Sequence, residues 1–309
     1  MMPLSLTLTL PPEELESRFR ELKTPENVAD LLEISYSNLN YYLYRLPPAE
    51  RYFQFQLPKR NGGLRTISAP NSSLKILQRK LLHILEANYE PRYSVHGFVH
   101  ERSIVTNSGS HIARRYVMKV DLVDFFPSIN FGRVRGLFMA YPYNLPPEVA
   151  TVLAQICCHE NQLPQGAPTS PIVSNMICAR MDTELQQLAR RHSCWYTRYA
   201  DDITISTWLP VFPKAIGVSV DRLSSTRAEV GLELLEIIEN NGFKVNESKV
   251  RLLLRKKHNQ QVTGLTVNRR LNVPRKFVRQ IRAMLHAWEK FGEYKAEKDV
   301  LTPLNWTEG

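Results

Sequence analysis

Arg198-Tyr199-Ala200-Asp201-Asp202-Ile203-Thr204-Ile205 decides the reading of this chain. Two adjacent carboxylates sit between aromatic and β-branched residues, and alternation resumes after them through Ser206. This pattern predicts a hairpin with Asp201 and Asp202 at or beside a tight turn. Adjacent like charges repel, and a turn that presents both calls for a cation. A solvated Asp-Asp turn is the plain alternative. Against it stands an upstream run, Tyr116-Val117-Met118-Lys119-Val120-Asp121-Leu122-Val123-Asp124-Phe125-Phe126, where an apolar strand ends in a carboxylate backed by aromatics. Three acids on two neighbouring strand ends, Asp121, Asp201 and Asp202, can hold two divalent cations about 4 Å apart, an arrangement suited to phosphoryl transfer.

The RYADD, DLVDFF, QGAPTSP and VTGL blocks, in that chain context, resemble the motifs of reverse transcriptases, and of the bacterial retron type in particular. The resemblance runs over residues 28 to 282. It implies an α+β right-hand polymerase fold. Residues 1–50 would be an N-terminal helical region and 51–115 the fingers. Residues 116–265 would be a palm of split β-α-β antiparallel type, with inserted fingers elements near 140–175 and a primer-grip hairpin. Residues 266–309 would be a short or incomplete helical thumb. It implies RNA-directed DNA polymerase activity with two Mg²⁺ on Asp121, Asp201 and Asp202.

Residue by residue, the resemblance assigns Lys59 and Arg65 to the phosphates of the incoming dNTP and Phe126 to a steric gate against a ribose 2′-hydroxyl. Gln165 and Gly166 would meet the nascent base pair, and Lys249 the leaving pyrophosphate. Asn107 and His111 match a retron Asn-Ala-x-x-His pattern for nucleic-acid binding, with Ser108 departing from it. Val262, Thr263 and Gly264 match the VTG element. The family further implies a structured non-coding RNA as template and primer, started from a guanosine 2′-hydroxyl. It also implies an RNA–DNA hybrid product and a role in antiphage defence beside an effector protein. Another bacterial reverse transcriptase, or an RNA-binding scaffold with a vestigial site, are the rival readings; the complete set of carboxylates argues against the scaffold.

Composition sets the frame. The chain has 309 residues, 43% hydrophobic and 23% charged, enough for a substantial folded core. No run of 18 apolar residues occurs and the N-terminus lacks a basic leader, so a cytoplasmic protein without a membrane span is expected. Cys157, Cys158, Cys178 and Cys194 lack the spacing of a zinc site and are expected in the core. Net charge is +10, and between 249 and 282 eleven basic residues occur with no acidic one. Arg275, Lys276, Arg279 and Arg282 fall on one predicted helix there, a pattern for a polyanion surface.

Coarser expectations follow from periodicity. Short helices are expected over 12–23, from Pro25, and after a Ser37 cap. A hairpin is expected over 52–67, and a helix over 74–85 with Lys75, Arg79 and Lys80 outward. A helix opening at Pro147, a rigid loop over 163–171 leading into a buried helix, and a long helix over 224–240 complete the series.

Overall fold

The computed structural model describes residues 7–58, 62–220 and 226–292. Prolines open three of the first four helices, α1 (Pro12–Arg20), α2 (Pro25–Leu31) and α4 (Pro48–Arg51), where a missing N–H costs nothing. Between them α3 (Tyr36–Asn40) runs on into a π-turn, Tyr41–Arg45. Its cap is Ser35 rather than Ser37: the Ser35 hydroxyl accepts from the Asn38 amide, and Ser37 only bonds Ser35. Leu15, Phe19, Leu31, Leu39 and Leu43 bury the inner faces of this unit.

Strands β1 (Tyr52–Pro58) and β2 (Leu64–Pro70) pair as the expected antiparallel hairpin, and α5 (Ser72–Ala87) follows, capped by Asn71. The outward placement of Lys80 is wrong. It is buried, and its ammonium donates to the Leu32 carbonyl at 2.9 Å. Leu32 caps the C-terminus of α2, where unpaired carbonyls carry partial negative charge.

Then come α6 (Ile104–Gly109), β3 (Tyr116–Asp121), α7 (Phe131–Met139), α8 (Pro147–Cys157) and α9 (Ser170–Arg191). A hairpin of β4 (Cys194–Tyr199) and β5 (Asp202–Thr207) follows, then β6 (Gly217–Ser219), β7 (Ala228–Val230) and α10 (Leu232–Asn240). A 3-10 turn at Glu247–Lys249 leads to β8 (Arg251–Leu254), the short pair β9 (Gln261–Val262) and β10 (Leu265–Thr266), and α11 (Arg275–Phe291).

The expected helix over 224–240 begins only at Leu232. Ala228–Val230 instead pairs with β6, and residues 221–225 lie outside the described residues. Gly231 explains the break: a Cβ there would stand 2.3 Å from the Ala215 carbonyl oxygen, so only glycine lets the chain pass.

The central sheet has the order β4-β5-β3-β8, antiparallel throughout. Period-two alternation splits it into two faces. Met118, Val120, Ile203, Ile205 and Leu252 join the main core with α7, α9 and α10, while Val117 and Leu253 join a smaller cluster with Val262 and Val267. The architecture is α+β. The four cysteines are buried and unpaired, as core residues. Among the described residues no helix is long and apolar enough to cross a membrane.

Candidate active site

Register brings the acids together. Tyr199 pairs with Asp202, leaving Ala200 and Asp201 as a two-residue turn, with Ala200 in the left-handed region at φ 56°. On the other side of β5, Asp121 at the end of β3 pairs with Asp202, and the Leu122 amide donates to the Asp201 carbonyl at 3.2 Å. The hairpin and the strand end expected from the sequence are therefore both present and adjacent.

Their electrostatics are those of crowded acids. Burial, then the charges of Asp202 and Asp121, push Asp201 up from 3.8 to about 6, with Lys249 opposing. Burial also raises Asp202; Lys119 opposes it, Asp121 adds to it, and Lys249 again opposes. Asp121 has a counter-ion from the chain itself. Lys249 Nζ stands 3.1 Å from each carboxylate oxygen, and Asn246 Nδ2 donates to Oδ1 at 3.2 Å. Among the described residues no three His, Cys, Asp or Glu side chains are gathered closely enough to hold a metal as they stand. The donor set is nonetheless all oxygen and carries negative charge against burial, which suits a hard divalent cation.

The turn is held by a buried polar network that sequence reasoning missed. Arg198 is fully buried and grips Asp182 with two bonds, Nε to Oδ1 and Nη2 to Oδ2, both 2.7 Å. Its Nη1 donates to the Ala200 carbonyl at 3.0 Å, and Tyr196 Oη donates to Asp182 Oδ1 at 2.6 Å. Burial opposes the guanidinium charge, yet the Asp182 carboxylate outweighs it and holds Arg198 well above its usual value. Asn175 joins Arg198 to the Gly97 carbonyl, and a Cβ at Gly97 would lie 2.5 Å from the Ala200 amide nitrogen. One signal was available. Asp182 lies on the apolar stripe of α9 with Cys178 and Leu185, where a carboxylate requires a partner.

The other expected residues divide. Half-buried Phe126 lies 5.3 Å from the Phe125 ring and 6.1 Å from that of Phe98, while Phe125 stacks on Phe243 in the core. Gly166, at φ +122°, passes β2 so closely that a Cβ would meet Ile67 and the Ser68 carbonyl at 3.0 Å, and the Gln165 carbonyl accepts from the Ser68 amide. Arg65 is exposed on β2 of the hairpin; Lys59 lies outside the described residues.

Asn107 and His111 do not reach solvent, so direct contact with nucleic acid has no support in this geometry. His111 bridges Ser206 and Thr197, both at 2.7 Å, and burial first, then Arg114 and His96, push it down to about 3, so it is neutral. Asn107 and Ser108 instead anchor the turn between β9 and β10. Ser108 donates to the Val262 carbonyl at 2.7 Å and also bonds Thr263, giving the residue that departs from the retron pattern a definite role. Val262 is buried; Thr263 and Gly264 turn the chain with positive φ.

The basic run also divides. Arg251 and Arg255 spend donors on backbone carbonyls, of Ser248 and Val250 and of Ala113. Arg275, Lys276, Arg279 and Arg282 are exposed on α11. Opposite the Arg275-Arg279-Arg282 stripe, Phe277, Ile281, Leu285 and Trp288 are 39–55% exposed, so the apolar face of this helix is uncovered.

Comparison with known proteins identifies the family. Residues 57–268 match the reverse transcriptase (RNA-dependent DNA polymerase) family. The chain belongs to that family and is a nucleotidyltransferase of the RNA-directed DNA polymerase class. Within it, the chain is of the retron type. It is 38% identical to the retron Mx65 reverse transcriptase of Myxococcus xanthus, over 91% of this chain and 67% of that one. It is 35% identical to Mx162 of the same organism, over 87% and 60%, and 32% identical to Ec86 of Escherichia coli, over 87% and 81%. It thus spans about two thirds of the length of the Myxococcus relatives. Solved telomerases of Candida tropicalis and Candida albicans are remote likenesses, at 12% identity with TM-scores of 0.42 and 0.45; they cover 78% of this chain and 61% and 50% of their own.

Proposed function

We propose that this chain copies a structured non-coding RNA into DNA from dNTPs, using Asp121, Asp201 and Asp202 to hold two Mg²⁺. The observation that carries this is the pairing of Asp121 with Asp202 beside the Asp201 turn, with charge raised against burial. When bound, the ions would lower the pKa of a primer hydroxyl and stabilise charge on pyrophosphate. The chain's residues do the rest. Lys249 neutralises Asp121; were a metal held there, its ammonium would be available to a phosphate. Phe126 excludes a 2′-hydroxyl by bulk. Gly166 allows close backbone approach, and Arg65 meets phosphate.

In this reading residues 51–115 act as fingers, 116–265 as palm and 266–309 as thumb, with 1–50 a helical N-terminal region. The RNA serves as template and primer, the hybrid is the product, and an effector protein joins the system in antiphage defence. Sequence is read by base pairing, while the protein reads phosphate and shape. Asp201→Asn tests the reaction. Mg²⁺-dependent primer extension is expected to fall to background with a folded protein by thermal melt. Near-normal extension would overturn the assignment. Phe126→Ala is expected to raise ribonucleotide over deoxyribonucleotide incorporation in competition kinetics; an unchanged ratio removes the gate from Phe126.

A further inference from the structure

The end of the central sheet opposite the acids carries an aromatic and basic surface. Arg114 lies against the ring of Trp195, 3.5 Å from guanidinium carbon to ring centroid, with the Trp208 ring 5.1 Å away on another side. Arg255 approaches the same Trp208 ring at 5.7 Å. Trp195 and Trp208 are 45% and 49% exposed, so each leaves a broad indole surface to solvent. Arg115, Lys256 and Lys257 are exposed beside them in sequence.

Pairing fixes the location. Cys194 and Tyr116 both pair with Thr207, and Tyr116 pairs with Leu254, so these residues flank one end of all four strands. At about 3.3 Å per residue, that end is roughly 17 Å along β3 from Asp121. The platform is rigid. The Arg255 amide donates to the Arg115 carbonyl, and the Arg255 guanidinium to the Ala113 carbonyl.

Charge and shape select the ligand. Residues 111–120, 192–200, 205–213 and 251–270, which supply this surface, contain no Asp or Glu. Among the described residues none of the five cations is ion-paired to a carboxylate. A one-sign surface attracts a polyanion, and flat half-exposed indoles between guanidinium groups offer faces on which bases stack. Duplex RNA keeps its base faces internal, so the fit is to unpaired nucleotides, where aromatic and guanidinium planes do the recognition.

We propose that Trp195, Arg114 and Trp208 form a second RNA site, remote from the acids, that holds unpaired nucleotides of an RNA loop. This rests on the chain handling RNA, not on its chemistry. It would keep one part of a folded RNA fixed while the cleft advances along another.

The test uses the full chain with its cleft occupied by an unlabelled RNA–DNA hybrid hairpin, and a fluorescein-labelled 12-nucleotide oligo(U) as probe. Oligo(U) is expected to bind despite the hybrid, and 4-thiouridine in it to crosslink to peptides containing Trp195 or Trp208. Trp195→Ala with Trp208→Ala is expected to weaken that binding about tenfold or more, since stacking contributes ~1–3 kcal/mol per base. Arg115→Gln, Lys256→Gln and Lys257→Gln, all on exposed side chains, are expected to lower the salt slope by about two. That variant decides the matter even if the tryptophan variant misfolds. Asp201→Asn is expected to bind oligo(U) as the parent does, which separates this site from the reaction. Loss of all oligo(U) binding to the hybrid, crosslinks elsewhere, or an unchanged salt slope would each overturn the proposal. Equal competition by a 12-residue polyglutamate would overturn it too, in favour of an acidic protein partner.

Discussion

The acidic turn and helix α11 carry the two most conspicuous sequence signals, RYADD and the one-sign basic run, yet they are held in opposite ways. Asp201 sits on a turn pinned from behind by Arg198, Asp182, Asn175 and Gly97, all within a close-packed interior. Among its described side chains helix α11 has none that is buried, and it leaves apolar and basic stripes alike in solvent. Carboxylates that must converge against their own repulsion need a scaffold that forbids relaxation. A surface that follows a phosphate backbone needs only charge at the right pitch.

The sharpest way to break this contrast is to remove the scaffold without touching the acids. Arg198→Met leaves Asp182 buried without its counter-ion, which costs about 3–5 kcal/mol. At ~2–4 °C per kcal/mol, the melting temperature is expected to fall by roughly 6–20 °C. A fall within 2 °C by calorimetry would show that the network does not hold the turn.

Next in size is the charge itself. Asp201 has a folded pKa of about 6 against an ordinary 3.8, so its ionised form is disfavoured by folding. In EDTA above pH 6 the carboxylate is ionised in both states and the full cost is felt; below about 3.8 it is neutral in both and the cost vanishes. Asp201→Asn is therefore expected to melt higher than the parent at pH 7, by roughly 6–12 °C at ~1.4 kcal/mol per unit and ~2–4 °C per kcal/mol. That gain should shrink as pH falls through 6 toward 4. A lower melting temperature at pH 7 would contradict the crowding of the acids.

On the α11 side the effects are on binding. Arg275→Gln, Arg279→Gln and Arg282→Gln together are expected to lower the salt slope for unrelated RNAs and hybrids by about two to three, at ~0.7–0.9 per phosphate contact. Filter binding across salt measures it, and a loss confined to one cognate stem would mean shape recognition instead. The smallest effect expected is Leu285→Lys, within about 1 °C in melting temperature, because surface changes stay near ±0.5 kcal/mol. A large drop would mean that the apolar stripe is covered in solution.

What was legible in the sequence follows from the range of the interactions. The Asp201 hairpin and the Asp121 strand end were readable because strand alternation and turn chemistry act between neighbours. The Arg198–Asp182 pair spans 16 residues and two element types, so only the fold joins them, although a carboxylate on the apolar stripe of α9 announced that something must. The helix expected over 224–240 failed for a tertiary reason, the approach of Ala215 to Gly231, which no periodicity records. Asn107 and His111 matched a motif, but their burial turns them into supports for the β9–β10 turn and for the sheet. The division of α+β structure was legible; the inside and outside of single polar residues was not.

Lys80 has a practical bearing on anyone trimming this chain. Its ammonium is fixed to the end carbonyl of α2, burial pulling its pKa down against the pull of Glu33 the other way. A deletion that starts at β1 would strip away Leu32, free Lys80 to water and bare the buried leucines of α5. The N-terminal helices are therefore no detachable appendage. Expression boundaries, fusion tags and split-protein designs should be placed before α1, and a cut at the junction of α4 and β1 should yield poorly soluble protein, because the apolar inner face of α5 is then in water.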